Sequence, residues 1–321
     1  MRTSMKSIAA ALSAAMFCLM SCVNLSTGDG NQNNGGNPKD DTPSSKDDEP
    51  KKDDSGDVYV LDAADGEFIK NDGSRFSYRY FEKPVYITPE WSKVPVLQSY
   101  AGSYPLGNLD FELELVYSYP SNVLMYEDGE YLLKIGLIYD GYNSCRVGAL
   151  MDVDGNDCIS CQYDSKERLS KLTWYYRDGA YEEEYVNVFS YDDQSRLSEI
   201  KLTSENEDCT TLISFEYSSI PSKTVYPLQL VNAESVFCEV LGDSYACVPL
   251  VMSGLMGKPF SDCLLKSMKV AESDDASEAG EEYSYVLDAN GYVKEMKSRR
   301  WENGNSGSLT TLSSSFEWKK L

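Results

Sequence analysis

Between residues 159 and 217, apolar and polar side chains alternate with a period of two. Leu172, Trp174 and Tyr176 fall on one face, as do Phe189 with Tyr191, Ile200 with Leu202, and Ile213 with Phe215 and Tyr217. Lys171, Thr173, Glu199, Lys201, Ser214 and Glu216 occupy the other face. A strand turns successive side chains to opposite sides, so the pattern predicts an antiparallel sheet with one buried and one wet face. Turn-forming clusters at Arg177-Asp178-Gly179 and Glu205-Asn206-Glu207-Asp208 cut it into strands roughly nine residues long. Phe111 to Tyr117 alternates in the same way, and Tyr131 to Tyr139 is a further β-prone run. Pro221 is expected to end the pairing of its strand. The alternation fades between about 232 and 268, where Leu, Met, Ala and Cys are frequent and Gly242, Gly254 and Gly257 interrupt the run. A one-faced sheet must cover its apolar side, and this segment predicts one or two short helices that do so. The expected fold is mainly β, all-β to α+β: a curved antiparallel β-meander sheet with those helices packed on its buried face.

The pattern contains a repeat. Tyr163-Asp164-Ser165-Lys166-Glu167-Arg168-Leu169-Ser170-Lys171-Leu172 matches Tyr191-Asp192-Asp193-Gln194-Ser195-Arg196-Leu197-Ser198-Glu199-Ile200, 28 residues on. A looser copy, Asp288 to Met296, keeps the aspartate, the turn and the apolar position. Asp at the first turn position and Asn290-Gly291 in the third copy, where glycine takes positive φ readily, predict tight β-hairpins.

The first residues change the setting. Arg2 and Lys6, the apolar run from Ile8 to Met20 and Ser21 before Cys22 have the layout of a secretory leader, with a basic start, an apolar core and a small residue before the cut. The 13-residue apolar run is well short of the ~20 residues that span a bilayer. Residues 1–21 are read as a lipoprotein signal peptide and Cys22 as the lipid acceptor, since several acyl chains anchor stably where one does not. Residues 22–57 follow as the lipidated cysteine and an acidic tether poor in large apolar side chains, expected to be disordered. Such a length spans on the order of 30–35 Å on average. The lack of an acidic cluster directly after Cys22 leaves periplasmic and surface-facing display at the outer membrane both open. Residues 58–321 are expected to be one β-rich globular domain.

Charge and residue usage exclude several chemistries. Residues 58–321 hold 43 acidic and 23 basic side chains, a formal charge of −20, which argues against nucleic-acid partners. The chain has no histidine, so Ser-His-Asp and Cys-His catalysis are ruled out. Seven cysteines remain beyond Cys18 and Cys22, at 145, 158, 161, 209, 238, 247 and 263, an odd number with no framework spacing. Cys158-Ile159-Ser160-Cys161 lacks the second pair that a zinc site needs. Asp152 to Asp157 starts like a calcium loop but lacks its glycine and terminal glutamate, and reads as a turn. No catalytic residue, metal ligand or cofactor is assigned.

The Tyr-Asp-x-x-x-Arg-Leu units, Gly254-Leu255-Met256-Gly257-Lys258, Leu264, and Tyr285 with Asp288-Ala289-Asn290-Gly291-Tyr292-Val293 resemble an uncharacterised family of Bacteroidota lipoproteins across roughly residues 110 to 321. The repeat is more weakly similar to the YD units of Rhs-type shells, which wind as β-hairpins. The resemblance implies a lipid-anchored β-meander domain and carries over no catalytic residue. The expected function is a non-catalytic binding or scaffold module of the envelope. Its 24 tyrosines and Trp91, Trp174, Trp301 and Trp318 suit glycan faces, and an envelope protein is the other expected partner. A periplasmic carrier with an apolar cavity for lipid or lipoprotein is the alternative, and a glycosidase using two carboxylates is the third.

Overall fold

The structure, a computed structural model, describes residues 59–69, 72–81, 96–104, 107–117, 119–141, 144, 146–152, 158–178, 181–204, 210–223, 250, 254–258, 260–273, 278–302 and 311–320. These residues form 16 strands. They are β1 (Tyr59–Ile69), β2 (Asp72–Tyr80), β3 (Leu97–Tyr104), β4 (Gly107–Val116), β5 (Tyr119–Glu127), β6 (Glu130–Tyr139), β7 (Val147–Asp152) and β8 (Cys158–Tyr163). The second half adds β9 (Leu169–Asp178), β10 (Tyr181–Tyr191), β11 (Leu197–Ser204), β12 (Thr210–Pro221), β13 (Cys263–Glu272), β14 (Glu278–Leu287), β15 (Val293–Glu302) and β16 (Thr311–Lys320).

Each strand pairs antiparallel with its neighbours in sequence, and β1 pairs with β16 from Tyr59↔Lys320 to Gly66↔Ser314, closing a barrel. The meander expected between 159 and 217 is present as β8 to β12, and the apolar face is found at Leu172, cross-strand from Asn187, and at Phe189, cross-strand from Ile200, which faces Ile213; Thr173, expected on the wet face, is 4% exposed. Pro221 makes the last pair of β12, with Cys263.

Among the described residues, where Leu250 alone is helical, the apolar face is enclosed by closure of the sheet on itself. The expected helices between about 232 and 268 are corrected where that segment is described. Residues 254–258 and 260–262 run as turns and bends, and Cys263–Glu272 is strand β13; residues 224–249 lie outside the described residues. The cause is a register shift between Glu216 and Tyr217, opposite Ser267 and Leu265. A bulge places consecutive residues out of step with the pleat, so Leu264 and Leu265 are both buried and the alternation disappears from the sequence.

Because the sheet closes on itself, alternate positions face inside or outside. The inner positions Phe111, Leu150, Leu172, Ile200, Ile213 and Met296 are 0–3% exposed. Barrels of about 16 strands are wide enough to leave an aqueous channel when the lumen is empty. Here water does not reach these side chains, so the middle of the barrel is a packed core. The outer positions between them, among them Glu112, Lys201, Glu216, Glu282, Lys297 and Glu317, are exposed. Outer charges pair across strands: Lys269 Nζ lies 2.6 Å from Glu278, Lys319 Nζ 2.7 Å from Asp62, and Lys266 Nζ 3.1 Å from Glu216. Such exposed pairs contribute at most about 1 kcal/mol each. Gly280 is an outer position where a side chain is sterically barred: a Cβ there would lie 2.4 Å from the Trp301 ring, which covers it from β15.

Candidate functional site

The hairpins β4–β5, β6–β7, β8–β9, β10–β11 and β14–β15, the β12–β13 connection and the outer ends of β1 and β16 all lie at one end of the barrel, by the strict up-and-down order. At this end the predicted repeat becomes a built structure. Asp164 Oδ1 accepts the backbone N–H groups of Lys166 and Arg168, both at 2.9 Å, and its Oδ2 takes Arg168 Nε at 2.7 Å and Nη2 at 2.6 Å. Asp192 repeats this with Gln194 and Arg196 at 2.9 Å, and with Arg196 Nε at 2.8 Å and Nη2 at 2.7 Å. Asp288 keeps the backbone half, accepting from Asn290 at 2.9 Å and Tyr292 at 2.8 Å. Each aspartate carbonyl also accepts from the residue three on, which is left-handed: Glu167 and Ser195 at φ 65° and Gly291 at φ 82°. This is a type I turn closed by a left-handed bulge residue.

Desolvation pushes the Asp164 and Asp192 carboxyls up, but the arginine and backbone hydrogen bonds outweigh it and hold both below the ordinary carboxylate range. The structure adds a member that the spacing concealed. In Tyr139-Asp140-…-Arg146-Val147 the turn is two residues longer, yet Asp140 N–H donates to the Arg146 carbonyl at 2.8 Å and Arg146 Nη2 sits 3.2 Å from Asp140.

The tyrosines tie the copies together. Each hydroxyl donates to a carbonyl at the start of the preceding strand: Tyr139 to Pro120 at 2.6 Å, Tyr163 to Val147, Tyr191 to Leu169 at 2.7 Å, and Tyr285 to Leu265 at 2.7 Å. Each arginine covers the next tyrosine, with its guanidinium carbon 4.9 Å from the Tyr163 centroid for Arg146, 4.0 Å from Tyr191 for Arg168, and 5.3 Å from Tyr217 for Arg196. The ladder ends at Tyr217, whose hydroxyl has no hydrogen-bond partner among the described residues.

The segment before β13 closes over this end. Val147 N–H donates to the Leu255 carbonyl at 2.7 Å, Leu197 N–H to Phe260 at 2.7 Å, and Lys258 N–H to Glu167 at 3.0 Å. Phe260 lies parallel to Phe189, centroids 6.1 Å apart. Gly257, at φ 96°, brings backbone so near that a Cβ would stand 3.0 Å from both the Glu167 carbonyl and the Tyr163 ring. The Gly254 to Lys258 stretch is therefore a seal seated on the Asp-turns.

Toward the opposite end the inner wall changes character. Trp174 and Tyr185, cross-strand neighbours on β9 and β10, stack with centroids 3.9 Å apart and planes 6° from parallel. Glu281 is a buried carboxylate that accepts from the Tyr283 hydroxyl at 3.0 Å. Of the tryptophans named for glycan binding, Trp174 and Trp318 hold inner positions, with Trp318 Nε1 donating to the Val293 carbonyl at 2.7 Å, and Trp301 is occupied over Gly280. Trp91 and the acceptor Cys22 lie outside the described residues. Cys158 and Cys161 both lie on β8, and Cys161 is buried. Burial, with Asp262 beside it, raises the Cys263 thiol, which keeps it in the poorly nucleophilic form. Residues 153–157 of the Asp-rich turn lie outside the described residues.

No family profile and no curated protein matches the chain. Among solved structures it is similar to a porin-like protein from Bacteroides uniformis, at 12% identity and TM-score 0.49, over 80% of this chain and 95% of that one. It is also similar to a porin-like protein from Bacteroides vulgatus, at 10% identity and TM-score 0.46, over 81% of this chain and 99% of that one.

Proposed function

We propose that this chain is a lipid-anchored, non-catalytic binding or scaffold protein of the cell envelope whose barrel stands in water and conducts nothing. One observation carries the reading: the faces of the wall are the reverse of those that a bilayer requires. A membrane-spanning barrel presents an apolar band to lipid and keeps its polar side chains within. Here Glu112, Lys201, Glu216, Glu282, Lys297 and Glu317 point outward and the apolar side chains inward. A lysine or arginine at the lipid midplane costs about 2–4 kcal/mol, and this wall carries charge on strand after strand. The inner side chains at mid-height, Phe111, Leu150, Leu172, Ile200 and Ile213 among them, are sealed from water, which supports a barrel that does not conduct. Attachment to a membrane then falls to the lipid on Cys22, with residues 23–57 as the spacer.

The test exchanges residues 1–22 for a secretory leader that is cleaved without lipidation, and follows the chain through membrane fractionation of the exporting cell. A tethered barrel moves to the soluble fraction and stays folded without detergent. A barrel that spans the membrane remains with it, and that result would overturn the reading. The apolar-cavity carrier is the second reading, favoured by the partly exposed inner wall at the end opposite the Asp-turns.

A further inference from the structure

We infer that the inner wall around Trp174 is a binding site for a neutral molecule with an apolar body and one hydrogen-bond acceptor. The inference rests on the tethered, water-surrounded barrel above and names the ligand class for it. Three observations meet at this place. Inner positions here, Trp174, Tyr185, Leu202, Thr211 and Val270, keep part of their surface open to solvent, whereas the inner positions nearer the middle are sealed. Trp174 and Tyr185 form a flat stacked platform, 3.9 Å between centroids. The indole Nε1–H of Trp174 is itself buried and has no acceptor among the described residues.

A buried donor without a partner is costly, and native proteins rarely leave one. An acceptor supplied by a bound molecule removes that cost. Ile159, cross-strand from Trp174 on β8, and Leu172, one pleat deeper on β9, make the floor apolar. They favour a hydrocarbon or ring body beneath the acceptor. The net charge of −23 disfavours an anion. Stacking over an indole face adds affinity for a flat or CH-rich group without demanding a particular one.

The experiment uses the mature chain in detergent-free buffer, with N-phenyl-1-naphthylamine as the fluorescent probe and a medium-chain fatty-acid methyl ester as competitor. Saturable probe uptake, reversed by the ester, is expected. Trp174→Ala is expected to weaken uptake about tenfold or more with the circular dichroism spectrum unchanged. Trp174→Phe keeps the stack and removes the donor: the probe is expected to bind as before, while the ester competes about three- to tenfold less well, the worth of one neutral hydrogen bond. No saturable uptake by the folded chain, or uptake indifferent to both substitutions, overturns the site. Failure of the tethered reading appears separately, as a chain that stays folded only in detergent.

Discussion

The guanidinium of Arg168 lies over the ring of Tyr191, 4.0 Å from its centroid, while both its Nε and Nη2 hold Asp164. One side chain thus closes its own hairpin and supports the tyrosine of the next repeat. That tyrosine returns its hydroxyl to Leu169, immediately after Arg168. The hairpins β6–β7, β8–β9 and β10–β11 are therefore linked in a row. Removing Asp192 leaves Arg196 and two backbone N–H groups without their acceptor, so Asp192→Ala is expected to cost about 2 kcal/mol. For a domain of this size that is roughly 4–8 °C in Tm, read by thermal unfolding followed at the β-sheet band.

Ser195 holds a left-handed φ of 65° that Gly291 fills in the third copy without strain. Ser195→Gly is expected to stabilise the chain by up to about 1 kcal/mol, since a side chain in this conformation costs about 1–2 kcal/mol and the added freedom of glycine offsets part of the gain. Gly291→Ala is expected to destabilise it by a similar amount. A paired urea titration of the two variants gives opposite shifts in midpoint, and shifts of the same sign would refute the turn assignment.

The Asp164 and Asp192 carboxyls are held below their ordinary range by hydrogen bonds that outweigh burial. Their unfolded values lie near ~3.9, so the unfolded chain takes up protons first as pH falls. The stability these groups contribute is whole above about pH 5 and is lost as pH drops through their folded values. Between pH 5 and 3 the wild-type chain should lose more stability than the Asp164→Asn, Asp192→Asn double variant. Urea midpoints at several pH values check the difference, which removes the background of the other carboxylates.

Leu197 and Val188 test which face of the wall is wet. Leu197 is 0% exposed and Val188 42% exposed. Leu197→Ala is expected to cost about 2–5 kcal/mol through the cavity it leaves. Val188→Lys, on the outer face of β10, is expected to change stability by no more than about 0.5 kcal/mol and to leave the chain soluble. Loss of the folded chain on Val188→Lys would mean that the outer wall is covered by lipid or protein.

The local features of this fold were legible, and the long-range ones were not. Asp164 and Asp192 announced their turns because the whole device spans five residues, and Leu172, Phe189 and Ile200 declared the inner face by simple alternation. The Asp140 copy was missed because its loop is two residues longer, which breaks the Asp-x-x-x-Arg spacing while preserving the same closing bonds. At the end of the segment where helices were expected, a bulge at Lys266 broke the alternation and hid the start of β13. Closure has no local sign at all: Tyr59 and Lys320 are neighbours across the seam, yet no nearby residue in either stretch refers to the other. The Trp174 platform was visible only as parity. Its tryptophan was placed correctly on the buried face, but the stacking on Tyr185 and the unpartnered indole emerge only from β9 pairing with β10.

The seam between β1 and β16 also sets an order of events. The first strand of the barrel has its second neighbour in the sixteenth, so during folding β1 carries an open row of backbone donors and acceptors until the ten residues of β16 arrive. A chain stopped short of Thr311 keeps two sticky edges instead of none, and its fate is aggregation or proteolysis. For this barrel, closure waits on β16: only when it pairs with β1 does the wall have no free edge.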